Sequence, residues 1–207
     1  MDSFADSCVI INLLEFNPLH EIKKRCYDYF TIHKKNILLC TYVLGEIKMY
    51  IKKKEIIYNE VIRKKKNPNY QFGTDKEANL LKKEETLFVN ELYRDSIDKS
   101  ISSCEKKYEE DIRKIRLNLN ILLKRIKELI NQEVDEELVK ILREFIEDYA
   151  DCKILSIALQ IQQTKDIFTF FTADSHLDPN GYEFLKGDIR IKDMNFPVLK
   201  NLLFEKS

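Results

Sequence analysis

The chain has 207 residues, of which 44% are hydrophobic and 34% are charged, with only four glycines and four prolines. This composition excludes a disordered or turn-rich β protein and favours a single helix-rich domain over residues 1–207. The 35 basic residues balance the 35 acidic ones and so identify no partner, and no apolar run approaches the roughly 20 residues that span a membrane, so we expect a cytoplasmic protein.

The first predicted elements place Asp6 between a strand and a helix. Phe4 begins a very short strand that ends near Asp6, and Ser7 can cap the apolar helix that follows. Ligands of open parallel sheets bind beyond the carboxyl ends of the strands, which makes Asp6 a candidate site residue. The alternative is that Asp6 itself caps the helix, because aspartate is also a common capping residue.

A second strand and a second acid follow. The apolar run at Asn36–Cys40 predicts a buried strand, and Thr41 begins a helix with an apolar stripe. Glu46 lies within this helix, between Leu44 and Ile47. It is either a solvated residue at the edge of the stripe or a carboxylate turned into a polar cleft.

Basic residues cluster in this part of the chain. Between His20 and Lys66, thirteen lysines and arginines oppose five acidic residues. With Tyr58, Tyr70 and Phe72 nearby, the segment could contact phosphates and stack on bases, although charge runs are commonly just solvated faces. The candidate nucleic-acid-binding residues are Lys52, Lys53, Lys54, Arg63, Lys64, Lys65 and Lys66.

The middle of the chain is predicted to be an inserted helical arm of about residues 52–144. Asn67–Thr74 is a loop by composition. Apolar residues then recur at intervals of three and four from Ile101 to Ile130, which predicts one long helix with a packing stripe. The stripe could pack within the chain as an antiparallel arm or against a second copy, which would make a homodimer.

The C-terminal third supplies two more acids. Asp151 opens a helix with a buried face, and Asp174 follows an apolar strand at Ile167–Thr172. Further on, Asp178–Gly181 reads as a turn and Ile189–Ile191 as a short strand. The three histidines, His20, His33 and His176, show no ligand spacing and are interpreted as surface or packing residues.

Four acids thus lie beside apolar strands or helices and would repel one another if they met at one end of a sheet. A divalent cation would offset this repulsion. A site made only of carboxylate oxygens suits Mg²⁺ or Mn²⁺ rather than zinc. The predicted catalytic and metal-binding residues are Asp6, Glu46, Asp151 and Asp174.

These motifs resemble the PIN-domain family of metal-dependent nucleases. The matching segments are ADSCVIINLL, TYVLGEI, DCKILSIAL and FFTADSHL. The resemblance implies a central parallel sheet flanked by helices, a four-acid Mg²⁺ or Mn²⁺ site supported by the Thr172 hydroxyl, and endonucleolytic cleavage of RNA, often single-stranded. Asp148 competes with Asp151 for the third position, but the spacing to the apolar helix favours Asp151.

The chain departs from the toxin-type members of this family in one respect. They are compact, whereas about 90 residues separate the second and third motifs here. This insertion leaves a toxin role and an antitoxin-like partner open. Two alternatives to the ribonuclease also remain: a non-catalytic interaction module on the same fold, and a nuclease that acts on DNA.

Overall fold

The computed structural model of the chain describes residues 2–165 and 167–204. Over these residues the chain is an α/β protein with eight α-helices and one five-stranded sheet, whose strands all run parallel. The α/β class and the parallel sheet predicted from the sequence are therefore confirmed. The strands are β1 Asp2–Ala5, β2 Ile37–Cys40, β3 Glu128–Ile130, β4 Ile167–Thr172 and β5 Val198–Asn201. The helices are α1 Ser7–Leu14, α2 Glu21–His33, α3 Thr41–Lys66, α4 Lys83–Arg94, α5 Ile101–Leu123, α6 Glu136–Leu142, α7 Tyr149–Lys165 and α8 Pro179–Lys186.

The order of the strands creates a crevice beside β1. The sheet reads β3-β2-β1-β4-β5, so the chain first builds outward from β1 through β2 and β3 and then returns to the other side with β4 and β5. Ser3 of β1 lies opposite Ile37 of β2 and Thr169 of β4. In parallel sheets, ligands bind at the point where the strand order reverses, beyond the carboxyl ends of the strands. Here that point lies between β1 and β4.

The inner strands are apolar because they are covered. All four residues of β2 are buried, and Phe4 of β1 and Phe170 of β4 are completely inaccessible. Near-continuous apolar runs of this kind are typical of parallel strands buried on both faces. Helices α1 and α7 both contact β4, so the helix that follows Asp6 and the helix that contains Asp151 meet the same strand.

The chain divides into two compact units. Residues 1–47 and 122–207 form the unit that contains the sheet, and residues 48–121 form the other. The sequence predicted a helical insertion of about 52–144. The second unit ends at residue 121, and the segment from 122 onward, with β3 and α6, belongs with the sheet.

The second unit has a hydrophobic cluster of its own. The rings of Tyr58 and Tyr108 stack in parallel at its centre, with their centroids 4.2 Å apart. The buried members of the cluster are Ile57, Tyr58, Val61, Val89, Cys104, Tyr108 and Ile112. These residues come from α3, α4 and α5, so the three helices share one core.

One buried carboxylate fixes the loop of the second unit. Glu60 is 1% exposed and accepts hydrogen bonds from the Tyr70 hydroxyl at 2.7 Å and from the Gly73 backbone N–H at 2.8 Å. The Arg63 guanidinium lies 3.2 Å from the same carboxylate. A buried charge is tolerated only when it is paired in this way, so Glu60 ties residues 70–73 to α3.

Three predictions of local structure are wrong. Ile189–Ile191 lies in turns, where Arg190 binds Asp188 and Glu144, and the last strand is β5 instead. The helix predicted to reach Ile130 ends at Leu123, because Glu128–Ile130 pairs with β2. Asp178 begins a helix rather than a turn, since its side chain accepts hydrogen bonds from the N–H groups of Asn180 and Gly181.

Within residues 2–165 and 167–204, no helix is both long enough and apolar enough to cross a bilayer.

Candidate metal centre

Asp6 lies at the end of β1 and is almost completely buried. Its backbone is extended, its N–H donates to the carbonyl of Phe171 at 2.9 Å, and its side chain caps α1 through the N–H of Ser7. Its Oδ2 accepts hydrogen bonds from the Thr172 hydroxyl at 2.7 Å and from the Cys8 thiol at 2.9 Å. The capping alternative is therefore confirmed, and Asp6 also directly follows β1, where a site residue was predicted.

The loop after β4 carries Asp174 to the same edge of the sheet. The Asp174 N–H donates to the Thr172 hydroxyl at 3.1 Å. From β5, the side-chain amide of Asn201 donates to the carbonyl of Asp174 at 2.6 Å and to that of Leu177 at 2.7 Å. Neighbouring strands thus fix both ends of the loop, and Asp174 is held beside Asp6.

The third acid is in the first turn of α7. Asp148 precedes this helix, and its Oδ1 accepts hydrogen bonds from the N–H groups of Ala150 at 2.7 Å and Asp151 at 3.2 Å. Asp151 is 7% exposed, and within the described residues its Oδ2 has no hydrogen-bond partner. A buried charged oxygen without a partner is costly, so this atom requires a cation or a proton.

His176 completes the surroundings of Asp151. Its backbone N–H donates to Asp174 Oδ1 at 2.8 Å, and its Nδ1 lies 2.9 Å from the same oxygen. The Nδ1 is also 3.5 Å from Asp151 Oδ2, too far for a good hydrogen bond. His176 is thus a surface residue, as the sequence suggested, but its ring lies beside two of the predicted site acids, which the sequence did not suggest.

Glu46 of α3 is half-buried and is coupled to the same acids. Burial is the main reason that its pKa is raised, and the negative charges of Asp6 and Asp148 raise it further. A hydrogen bond with the Ser7 side chain acts in the opposite direction. Of the two interpretations left open by the sequence, the carboxylate turned towards a polar cleft fits this environment.

Burial, together with repulsion between neighbouring carboxylates, raises the pKa values of the clustered acids. Burial is the largest cause that raises the pKa of Asp151 to about 8, and negative neighbours add to it. Those neighbours are Asp6, Asp174, Asp148 and Glu46. Burial also raises the pKa of Asp6, against hydrogen bonds from Cys8, Thr172 and Ser7. The four predicted acids therefore share one electrostatic site.

The donor set fits a divalent cation. Asp148, Asp151 and His176 each offer one ligand atom, and these atoms lie within 4.8 Å of one another. Two ligands that each lie about 2.0–2.2 Å from one ion are at most about 4.4 Å apart, so these separations are close to what a shared ion requires. Of the four predicted acids, only Asp151 belongs to this close set within the described part of the chain. Asp6, Glu46 and Asp174 surround it.

Sequence reasoning missed His176 and underrated Asp148. His176 lies only two residues beyond Asp174, in the loop where a site was expected, and this position was the available signal. Asp148 was weighed as a competitor of Asp151, but the structure brings both acids together, one as the cap and one in the first turn of α7. Cys8 also contacts the site, and its thiol both donates to Asp6 and accepts from the N–H of Ala173 at 3.1 Å.

All seven candidate nucleic-acid-binding residues lie in the second unit. Except for Lys52, they make contacts within that unit. Three of them face acidic partners: Lys53 with Glu85, Arg63 with Asp75 and Glu60, and Lys66 with Glu105. Lys64 donates to the carbonyls of Pro68 and Tyr70, and Lys65 to those of Ser96 and Ile97. Lys54 lies over the rings of Tyr50 and Tyr58, and Lys52 is exposed. The positive charge of this segment is thus largely compensated within the unit itself.

Comparisons with known proteins identify no relative. The chain matches no family model, no curated protein and no solved structure.

Proposed function

We propose that this protein is a metal-dependent endonuclease with a PIN-like fold, and that its substrate is RNA, in particular single-stranded RNA. The observation that carries the proposal is the Oδ2 atom of Asp151, which is buried, has no hydrogen-bond partner in the described residues and is surrounded by other carboxylates. A cation offsets this concentration of negative charge, and carboxylate oxygens suit Mg²⁺ and Mn²⁺.

The positions of the acids support the PIN-like fold. One acid follows β1, one lies in the helix after β2, one is in the first turn of the helix before β4, and one follows β4. These are the four positions that the resemblance to PIN domains implies, in the same chain order. The parallel sheet, with its order reversal between β1 and β4, agrees with a ligand site at this edge.

The residues have distinct roles in this proposal. Asp148, Asp151 and His176 would hold the cation directly, and Asp6, Glu46 and Asp174 would bind it or its water ligands. Thr172 positions Asp6 through the 2.7 Å hydrogen bond. When bound, such a cation polarises the phosphodiester and lowers the pKa of a bound water, so that hydroxide is available near neutral pH. The reaction then needs no nucleophilic side chain.

Electrostatics also limit how the substrate is bound. A cluster of carboxylates repels a polyanion until a cation neutralises it, so RNA binding at this site should depend on the metal. The lysines and arginines between residues 52 and 66 do not provide a freely available positive surface, because most are paired with acids or backbone carbonyls. Of the seven, Lys52 and Lys66 are exposed, and Lys66 is paired with Glu105.

The test is cleavage of labelled single-stranded RNA and DNA by the purified protein in Mn²⁺, in Mg²⁺ and in EDTA. The site variant is the double substitution Asp6→Asn and Asp174→Asn. A matched control is Asp178→Asn, the same substitution at an acid of the same loop that caps α8. We expect metal-dependent RNA cleavage by the wild type and the control, and its loss in the site variant. Absence of cleavage on varied RNA and DNA would contradict the proposal, and preferential cleavage of DNA would correct its substrate.

An interaction module is the second candidate, and one observation favours it. The second unit has an open groove of 930 Å³ between α3 and α5, which is lined by Tyr58, Ile62, Tyr108 and Ile112 and by charged residues. Helix α5 also exposes Leu117 and Ile121, one turn apart. Sedimentation of the purified chain distinguishes the two candidates: a tight dimer without any nuclease activity would favour the interaction module.

A further inference from the structure

The imidazole of His176 lies beside the carboxylates of Asp174 and Asp151. Both its backbone N–H and its Nδ1 lie within 3 Å of Asp174 Oδ1. The next residue, Leu177, is anchored through its carbonyl to the side chain of Asn201. The position of the ring is therefore set by a carboxylate and by the strand-bound loop, although 45% of the side chain is exposed. Carboxylates orient metal-binding histidines by accepting a hydrogen bond from the ring nitrogen that does not bind the metal, so Nε2 is the nitrogen of His176 that is available to an ion.

The atom that faces this ring is the unpartnered oxygen of the site. Asp151 Oδ2 is buried, has no hydrogen bond in the described residues, and lies 3.5 Å from His176 Nδ1. Together with Asp148, these side chains form the set whose ligand atoms lie within 4.8 Å of one another. The unpartnered oxygen of Asp151 indicates a ligand. This observation is independent of the number of acids in the cluster.

The mixture of donor atoms decides which ion fits. Mg²⁺ favours oxygen ligands and releases its waters reluctantly, so an imidazole nitrogen is a poor ligand for it. First-row transition ions accept imidazole together with carboxylates. We propose that His176, Asp151 and Asp148 form a mixed nitrogen and oxygen site that binds Mn²⁺ in preference to Mg²⁺. This inference rests on the proposed function for the location of the metal, but it concerns binding and is tested without RNA.

The first experiment measures the nitrogen ligand directly. Pulsed electron paramagnetic resonance of Mn²⁺ bound to the full chain should show coupling to a nitrogen nucleus. Since the chain has only three histidines, the double variant His20→Gln and His33→Gln leaves His176 as the single imidazole, and the coupling should persist there. In His176→Gln the coupling should disappear. Bound Mn²⁺ without nitrogen coupling in the wild type would overturn the inference.

The second experiment measures selectivity. Titration of Mn²⁺, alone and in competition with Mg²⁺, gives the ratio of the two affinities. In His176→Gln we expect about a tenfold or greater loss of Mn²⁺ affinity with a much smaller change for Mg²⁺. His20→Gln is the matched control, because His20 is exposed and makes no capping hydrogen bond with its side chain. An unchanged ratio in His176→Gln would contradict a direct role of the ring.

The outcomes also separate this inference from the proposed function. Nitrogen-coupled Mn²⁺ in a protein that cleaves neither RNA nor DNA would support the mixed site and refute the nuclease. Metal-dependent RNA cleavage by a protein whose bound Mn²⁺ shows no nitrogen coupling would support the nuclease and refute the mixed site. If Mn²⁺ does not bind the wild-type chain, the mixed site is refuted, and the nuclease is refuted with it only if the chain also fails to cleave RNA in Mg²⁺.

Discussion

The hydroxyl of Thr172 donates a hydrogen bond of 2.7 Å to Oδ2 of Asp6, and this bond joins the carboxyl ends of β4 and β1. Thr172 is completely buried and Asp6 is 1% exposed. The same hydroxyl accepts a hydrogen bond from the N–H of Asp174. One side chain therefore fixes the relative positions of two site acids that lie far apart in the sequence.

Replacing Thr172 by valine should lower the stability of the folded protein. Valine has a similar shape but leaves a buried carboxylate oxygen with one donor fewer, which costs about 1–3 kcal/mol of the free energy of unfolding. Urea unfolding followed by circular dichroism measures this cost. Thr169→Val is the matched control, because Thr169 is also buried in β4. Equal destabilisation by the two substitutions would contradict a specific role of the Thr172 hydroxyl.

Asp151 should make the metal-free protein less stable as the pH rises. The pKa of its carboxyl is raised from 3.8 to about 8, chiefly by burial, so the folded chain retains a proton that the unfolded chain releases. For a group with a raised pKa, stability is greatest below about pH 4 and falls until the pH passes about 8. In EDTA at pH 9, the free energy of unfolding of Asp151→Asn, measured with urea, should therefore exceed that of the wild type by about 1–3 kcal/mol. At pH 5 the difference should be smaller.

The comparison is made between the two pH profiles, because Asp6 and Glu46 also have raised pKa values and contribute to the wild-type slope. Asp178→Asn serves as the control, because Asp178 is a half-buried acid that caps α8. If the profiles of the wild type and Asp151→Asn run parallel from pH 5 to pH 9, the buried carboxylate is not the group that loses its proton.

Metal should reverse this effect in the wild type. A ligand that binds only the folded chain stabilises it by about 2.7 kcal/mol at a hundredfold excess over its dissociation constant. We expect Mn²⁺ to raise the unfolding temperature at pH 7.5, EDTA to lower it again, and Asp151→Asn to abolish the response. A shift of the same size in the variant would place the metal elsewhere.

Glu60 should be essential for the ordered conformation of residues 70–73 in the second unit. Removal of one partner from a buried charge network costs about 3–5 kcal/mol, so Glu60→Ala should strongly destabilise residues 48–121. Hydrogen exchange should show loss of protection first at the Gly73 amide, which donates to this carboxylate. Glu110→Ala, at an exposed position of α5, should leave the exchange unchanged. Protection of Gly73 that survives in Glu60→Ala would contradict the interpretation.

Several features could be predicted because they depend on local pattern. The buried strand β2, the helix that begins at Thr41 and the strand before Asp174 all follow from runs and periodicities of apolar residues. The approach of Asp6 to Asp174 followed from a general property of parallel sheets. Short alternating runs were less reliable. The run Ile189–Ile191 suited a strand, yet the charge pairs of Arg190 with Asp188 and Glu144 hold it in turns.

The sequence by itself determined the α/β class, the parallel strands and the edge of the sheet at which acids collect, because residue type and spacing specify which segments are buried. Only the tertiary structure decided that β3 continues the sheet beyond β2, and that His176 and Asp148 join Asp151 in one close set. These relationships depend on the register between distant segments and on the course of a loop, which no local pattern encodes. The unpartnered oxygen of Asp151 is likewise a property of its surroundings, since its energy depends on the charges that folding brings around it.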